Sequence, residues 1–202
     1  MSNTIFLFII GVILVQRVIE SYLPNFKKVK GTKLAKWTGI AFSLTYLLLI
    51  FGTIGEYFLI SRGINLWISG IGIVVVGVRI WLKWWAMLTL GKYWSVHIEI
   101  REAHKLIKDG PYRYVRHPAY LSNLLAYLGI PLIANAYYTL IGVFLIYVPF
   151  NLIRLHLEER ELIRKFGEEY EDYRKKVPAL LPVRKQFVFQ RKDRLFFKGE
   201  EQ

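Results

Sequence analysis

Residues 110–132 read GPYRYVRHPAYLSNLLAYLGIPL. Gly110 and Pro111 mark a turn, and Arg113, Arg116 and His117 follow among three tyrosines. From Pro118 onward the chain turns within a few residues into an apolar, helix-like run. Proline suits the first turn of a helix, where its missing N–H costs nothing, and it biases the residues before it away from helix. A polar turn written directly against a fully apolar helix is the grammar of a water–hydrocarbon boundary.

The rest of the chain supports that frame. Of its 202 residues 54% are hydrophobic and only 21% charged, and the apolar residues are gathered into runs. About 20 apolar residues in a helix span a hydrocarbon core of roughly 30 Å. Five runs qualify: Thr4 to Leu23, Trp37 to Ile60, Ile64 to Leu90, Pro118 to Ala134 and Tyr137 to Leu155, the fourth being the shortest. The N-terminal run lacks a basic leader and a small-residue cleavage site, and reads as a retained span.

Charge between the runs gives orientation, because short cytoplasmic loops collect Lys and Arg. Lys27, Lys28, Lys30, Lys33 and Lys36 follow the first run, and Arg62 alone follows the second. Lys92, Arg101, Lys105, Lys108, Arg113 and Arg116 follow the third, while the link around Asn135 carries no charge. Basic and non-basic loops alternate, as an all-α membrane protein of about five spans requires, with the N-terminus outside and the C-terminus cytoplasmic.

The net charge of +13 follows the same loops. It therefore points to anionic lipid headgroups as partners and not to nucleic acid. With no cysteine there is no disulfide, thiolate metal site or cysteine nucleophile, and the four histidines show no metal-ligand spacing. No metal is expected.

Three parts result: helices in 1–90, a core of loop, hairpin and tail helix in 91–185, and a loosely ordered tail in 186–202. In that core LEERELIRKFGEEYEDYRKKV sets Leu157, Leu162, Ile163, Phe166, Tyr170 and Tyr173 at helical spacing among charges. This predicts a helix lying on the membrane or on the loop.

Arg116, His117 and Tyr120 gather at the start of the fourth span, where free backbone donors suit an anionic or polar group. Arg154 and Glu158, four apart, share a helix face at the inner end of the fifth. The very short link makes these spans antiparallel neighbours, so the two clusters are expected to converge. Arg79 and Lys83, beside Trp81, Trp84 and Trp85, are read as snorkelling to headgroups, with a lateral opening as the alternative. The same headgroup reading is extended to Glu56.

The segments HKLIKDGPYRYVRHPAY (104–120), RLHLEER (154–160) and FGEEYEDYRKKVPALLP (166–182) together resemble the isoprenylcysteine carboxyl methyltransferase family of integral membrane enzymes. The resemblance implies S-adenosylmethionine bound on the cytoplasmic side, and the chain has no G-x-G-x-x-G after a strand. It places cofactor contacts on His104, Lys105, Leu106 and Ile107, on Tyr112, and on His117, Pro118, Ala119 and Tyr120. Glu158 becomes the cofactor-binding acid and Arg154 the substrate-binding arginine, the two forming the catalytic pair. His97 aligns poorly with a further polar contact.

The expected activity is methyl transfer to a carboxylate or other oxygen of a lipophilic substrate entering from the bilayer. A phospholipid amine methyltransferase, a nicotinamide-dependent membrane reductase and a non-enzymatic lipid-binding protein are the alternatives. The resemblance leaves the acceptor open among a prenylated cysteine, a lipid acid, an alkylated phenol or pyrone, and a small thiol.

Overall fold

The computed structural model describes residues 2–22, 32–34, 36–60, 63–94, 98–100 and 106–181. Its helices are α1 (Asn3–Tyr22), α2 (Lys36–Leu59), α3 (Leu66–Leu90), α4 (Pro118–Ala134), α5 (Tyr137–Gly142), α6 (Val148–Phe166) and α7 (Glu168–Lys176). Among the described residues four elements, Asn3–Glu20, Trp37–Leu59, Leu66–Leu90 and Tyr137–Phe166, are long and apolar enough to cross a bilayer. The 17-residue α4 is shorter, as its sequence anticipates. Phe8, Val15, Leu48, Phe51, Val74 and Leu145 are all more than half exposed on outward faces, an arrangement suited to lipid.

The elements run alternately between two ends. At the near end lie the termini of α1 and α3, the starts of α2 and α4, and α7. Two strands also lie there: β1 (Thr32–Leu34) pairs antiparallel with β2 (Ile98–Ile100), Thr32 opposite Ile100, which ties the α1–α2 and α3–α4 links together. Sequence periodicity gives no hint of this pair, because three residues are too few to show an alternation.

At the far end Asn135 adopts the left-handed conformation, φ 55°, and closes the turn from α4 into α5. Its amide donates to Ser69 Oγ at 2.9 Å, and its carbonyl accepts the Asn65 N–H at 3.1 Å. Glu56 turns inward instead of toward headgroups. Its carboxylate accepts the Tyr138 and Thr139 N–H groups at 3.0 and 2.7 Å, capping α5 from a neighbouring helix. The headgroup expectation for Glu56 is thus corrected: free N–H groups at a helix start outbid the interface.

Helices α3 and α4 meet backbone to backbone. A methyl group on Gly72 would lie 2.6 Å from the Ile133 nitrogen, and one on Gly129 would lie 2.8 Å from a Val76 methyl. Small residues at such a crossing let dispersion and weak backbone contacts act in lipid, where hydrophobicity gives no drive. Around it Phe6, Ile10, Phe42, Leu49, Ile130 and Val143 are buried, and Tyr127 and Tyr147 stack at 3.4 Å. Gly72→Val is expected to lower stability by about 1–3 kcal/mol or more, read as an earlier thermal transition in detergent, with α3 forced off α4.

The fifth span differs from expectation in two ways. Its helix continues past Leu155 to Phe166, because the charged segment keeps helical propensity beyond the apolar run. Tyr137 to Phe166 stays unbroken through a π turn, Val143–Tyr147, in which the Val148 N–H bonds the Val143 carbonyl. This irregularity stands just before Pro149, which has no N–H to give. The single tail helix is also corrected. Gly167, at φ 53° and ψ −129°, separates α6 from α7 in a conformation open to glycine. Residues 182–202, including the expected loose tail, lie outside the described residues.

Candidate functional site

The near-end rim is built on the start of α4. Tyr120, two residues past Pro118, is buried, and its hydroxyl stands between two charges. It donates to Glu158 Oε2 and accepts from Arg154 Nε at 3.1 Å. Arg154, 7% exposed, also donates to the Thr38 carbonyl at 3.3 Å and lies 5.3 Å from the Phe42 ring centroid. The expected convergence of the α4 start with Arg154 and Glu158, now on α6, is therefore present. One phenol holds a guanidinium and a carboxylate at a set separation.

A second network lies beside it. Glu159, buried, accepts from Arg116 Nε at 2.9 Å and contacts His117 Nε2 at 3.1 Å; Arg174 approaches its other oxygen at 3.6 Å. Arg116 also donates to the carbonyls of Arg174 and Val177, while its own N–H bonds the Pro178 carbonyl at 2.9 Å. The His117 N–H bonds Ala179 O at 3.0 Å. Tyr170, Tyr173 and Val177 form a small core with Leu106, Leu162, Ile163 and Phe166. The segment after Gly167 thus lies on the loop, one of the two placements its amphipathic pattern allows. Burial holds the Tyr170 and Tyr173 phenols above their ordinary range.

Each expected contact now has a place. Leu106 and Ile107 are half-buried, Leu106 against Tyr170 and Tyr173 of α7, and Tyr112 is buried at the turn. Burial, and then the Glu158 carboxylate, push the Tyr112 phenol well above its ordinary value, so it stays a proton donor beside that acid. His117 and Pro118 are buried and Ala119 is half-buried. The α4 start offers fewer donors than expected, because the tail takes the His117 N–H, Pro118 has none and Tyr120 N–H bonds the His117 carbonyl. His97, His104 and Lys105 lie outside the described residues.

Arg79 and Lys83 do not snorkel. Arg79, 3% exposed, gives two bonds to Glu20 at 2.8 and 2.7 Å, and Lys83, 5% exposed, donates to Asn123 Oδ1 at 3.2 Å. A buried carboxylate on α1 outweighs the headgroups, and a partner 59 residues away leaves no local trace. Glu159 was also missed as a member of the rim's charge network. Its only local signal is its adjacency to Glu158, which puts it one helical step round toward Arg116.

Fold and site together define a multi-pass helical membrane protein with a cluster of buried charges at one rim of the bundle. Residues 70–164 match the Isoprenylcysteine carboxyl methyltransferase (ICMT) family. The uncharacterized protein YpbQ of Bacillus subtilis is 30% identical over 162 residues, 78% of this chain and 96% of that one. A protein-S-isoprenylcysteine O-methyltransferase of Schizosaccharomyces pombe is 33% identical over 117 residues, 57% of this chain and 49% of that one. A methanethiol S-methyltransferase of Crocosphaera subtropica is 39% identical over 71 residues, 35% of this chain and 27% of that one. The solved eukaryotic intramembrane Ras methyltransferase ICMT superposes with a TM-score of 0.55 at 26% identity, over 75% of this chain and 54% of that one. The chain spans about half the length of these eukaryotic relatives. It belongs to the isoprenylcysteine carboxyl methyltransferase family, a family of membrane methyltransferases.

Proposed function

We propose that this chain is an S-adenosylmethionine-dependent methyltransferase, acting from the cytoplasmic face on a lipophilic acceptor that enters from the bilayer. The methyl group goes to a carboxylate or another oxygen. Residues 91–185 carry the transfer site, residues 1–90 support it in lipid, and the basic loops rest on anionic headgroups. The observation that carries this reading is the Tyr120 hydroxyl bonded to both Arg154 and Glu158.

The residues present fit the cofactor. Glu158 is half-exposed and has a carboxylate oxygen beyond the one that Tyr120 uses, suited to an ammonium. Tyr112 adds a protonated phenol, and Leu106 and Ile107 add apolar surface for a base. When bound, S-adenosylmethionine supplies a methyl group made electrophilic by its sulfonium. An ionised carboxylate needs no general base, so this chain's task is alignment and exclusion of water. Arg154 aligns the acceptor oxygen, and Tyr120 fixes the arginine against the acid that holds the other reactant. An amine acceptor fits less well, since Arg154 would repel its ammonium form.

Calorimetry in detergent with S-adenosylmethionine, S-adenosylhomocysteine and reduced nicotinamide cofactor tests the class. Binding of the first two alone is the expected result, and binding of the nicotinamide alone rejects the proposal. Glu158→Ala is expected to weaken S-adenosylhomocysteine binding by about tenfold or more, the loss of one charge-assisted hydrogen bond. Unchanged affinity would remove the acid from this role.

A further inference from the structure

The corner between α1, α3 and α4 holds more positive than negative charge. Arg79, one turn before Lys83 on α3, leaves its Nε with no hydrogen-bond acceptor among the described residues despite its two bonds to Glu20. Glu20 also takes the Gln16 amide and an ion pair from Arg17 at 3.5 Å. Two cations, Arg17 and Arg79, thus share one buried carboxylate, and a third, Lys83, stands one helical turn from Arg79. Among the described residues Lys83 donates to the Asn123 Oδ1 at 3.2 Å, and its Nζ lies 4.7 Å from the centroid of the Trp94 ring. A buried ammonium held by an amide and an indole is short of an anion.

The corner adjoins the proposed acceptor site. Asn123 lies three residues after Tyr120, so both stand on one face of α4, and Tyr120 carries the bond to Arg154. Arg17 and Arg154 lie 5.5 and 5.3 Å from the centroid of the same Phe42 ring.

We infer that Lys83, presented by Asn123 and Trp94, is a second anchor for the acceptor's anionic group, and that it selects ionised acids over neutral lipophiles. This rests on the methyltransferase reading above. In the transfer a carboxylate oxygen forms the new C–O bond, the C–S bond breaks with its electron pair left on sulfur, and no proton moves. The ester formed is neutral. Lys83 and Arg154 then lose the charge they held, which favours release of product into the bilayer.

The test is equilibrium binding of a prenylcysteine acid and of its methyl ester to the full chain in nanodiscs, with S-adenosylhomocysteine affinity measured in parallel. Wild type is expected to prefer acid to ester by about tenfold or more. Lys83→Met should lose most of that preference and Lys83→Arg keep it, both with unchanged S-adenosylhomocysteine affinity. Asn123→Asp, which installs a carboxylate beside the ammonium, should abolish the preference while keeping the lysine paired, so it reports even where Lys83→Met fails to fold. Acid preference intact in Lys83→Met or in Asn123→Asp overturns the anchor. Wild type that binds S-adenosylhomocysteine but does not prefer the acid overturns the anchor and leaves methyl transfer standing. A lysine-dependent preference in a protein that ignores S-adenosylhomocysteine supports the anchor and rejects methyl transfer.

Discussion

Arg154→Ala is expected to lower turnover of a lipophilic acid by about 10²–10³-fold while S-adenosylhomocysteine affinity stays within about twofold of wild type. The two effects separate because Tyr120 keeps its bond to Glu158 when the guanidinium is gone. Arg154 also ties α6 to the start of α2 through the Thr38 carbonyl, so some loss of stability should accompany the kinetic effect. Arg154→Lys distinguishes the two contributions. It keeps the charge but loses the planar fork, and its turnover should fall between wild type and alanine. A fall in cofactor affinity with turnover per bound cofactor unchanged would show that the arginine supports the fold and not the acceptor.

Glu159→Ala should have the larger effect on stability. It leaves Arg116 buried without its carboxylate, and removing one partner of such a pair costs about 3–5 kcal/mol. Because the same oxygen meets His117, the loss is concentrated where α7 lies on the loop. Hydrogen exchange should rise across residues 106–117 and 168–179 with little change in α1 and α2, and S-adenosylhomocysteine binding should weaken with it. Glu159→Gln keeps one acceptor and should retain part of the protection. Uniform loss of protection through every helix would show that the carboxylate holds the whole bundle and not this docking.

The spans and the meeting of α4 with α6 were legible because both follow from short-range rules. Apolar runs have a length set by the bilayer, and a short link forces antiparallel neighbours, which brings Arg154 to Tyr120. The partners that stayed hidden are long-range. Glu20 and Arg79 lie 59 residues apart, and nothing local to either names the other. Glu56 reads as an ordinary polar residue at a helix end until the α5 start is seen above it. Glu159 sits in a motif that was recognised, yet choosing between adjacent acids requires the azimuth of each on α6. The separation of α6 from α7 was marked by Gly167, but glycine inside a helical pattern is often tolerated, so only the backbone angle decides.

The π turn at Val143–Tyr147 has a consequence for the chemistry two turns further on. An i→i+5 bond admits one more residue than an α turn, and one residue corresponds to about 100° about the helix axis. The compass bearing of every side chain from Pro149 onward is therefore dialled by this wider loop of backbone, including those of Arg154, Glu158 and Glu159. Were the coil uniform, all three would swing away from Tyr120 and Arg116 without any of them being altered. The aim of the rim charges is set by a winding defect in the apolar stem that precedes them.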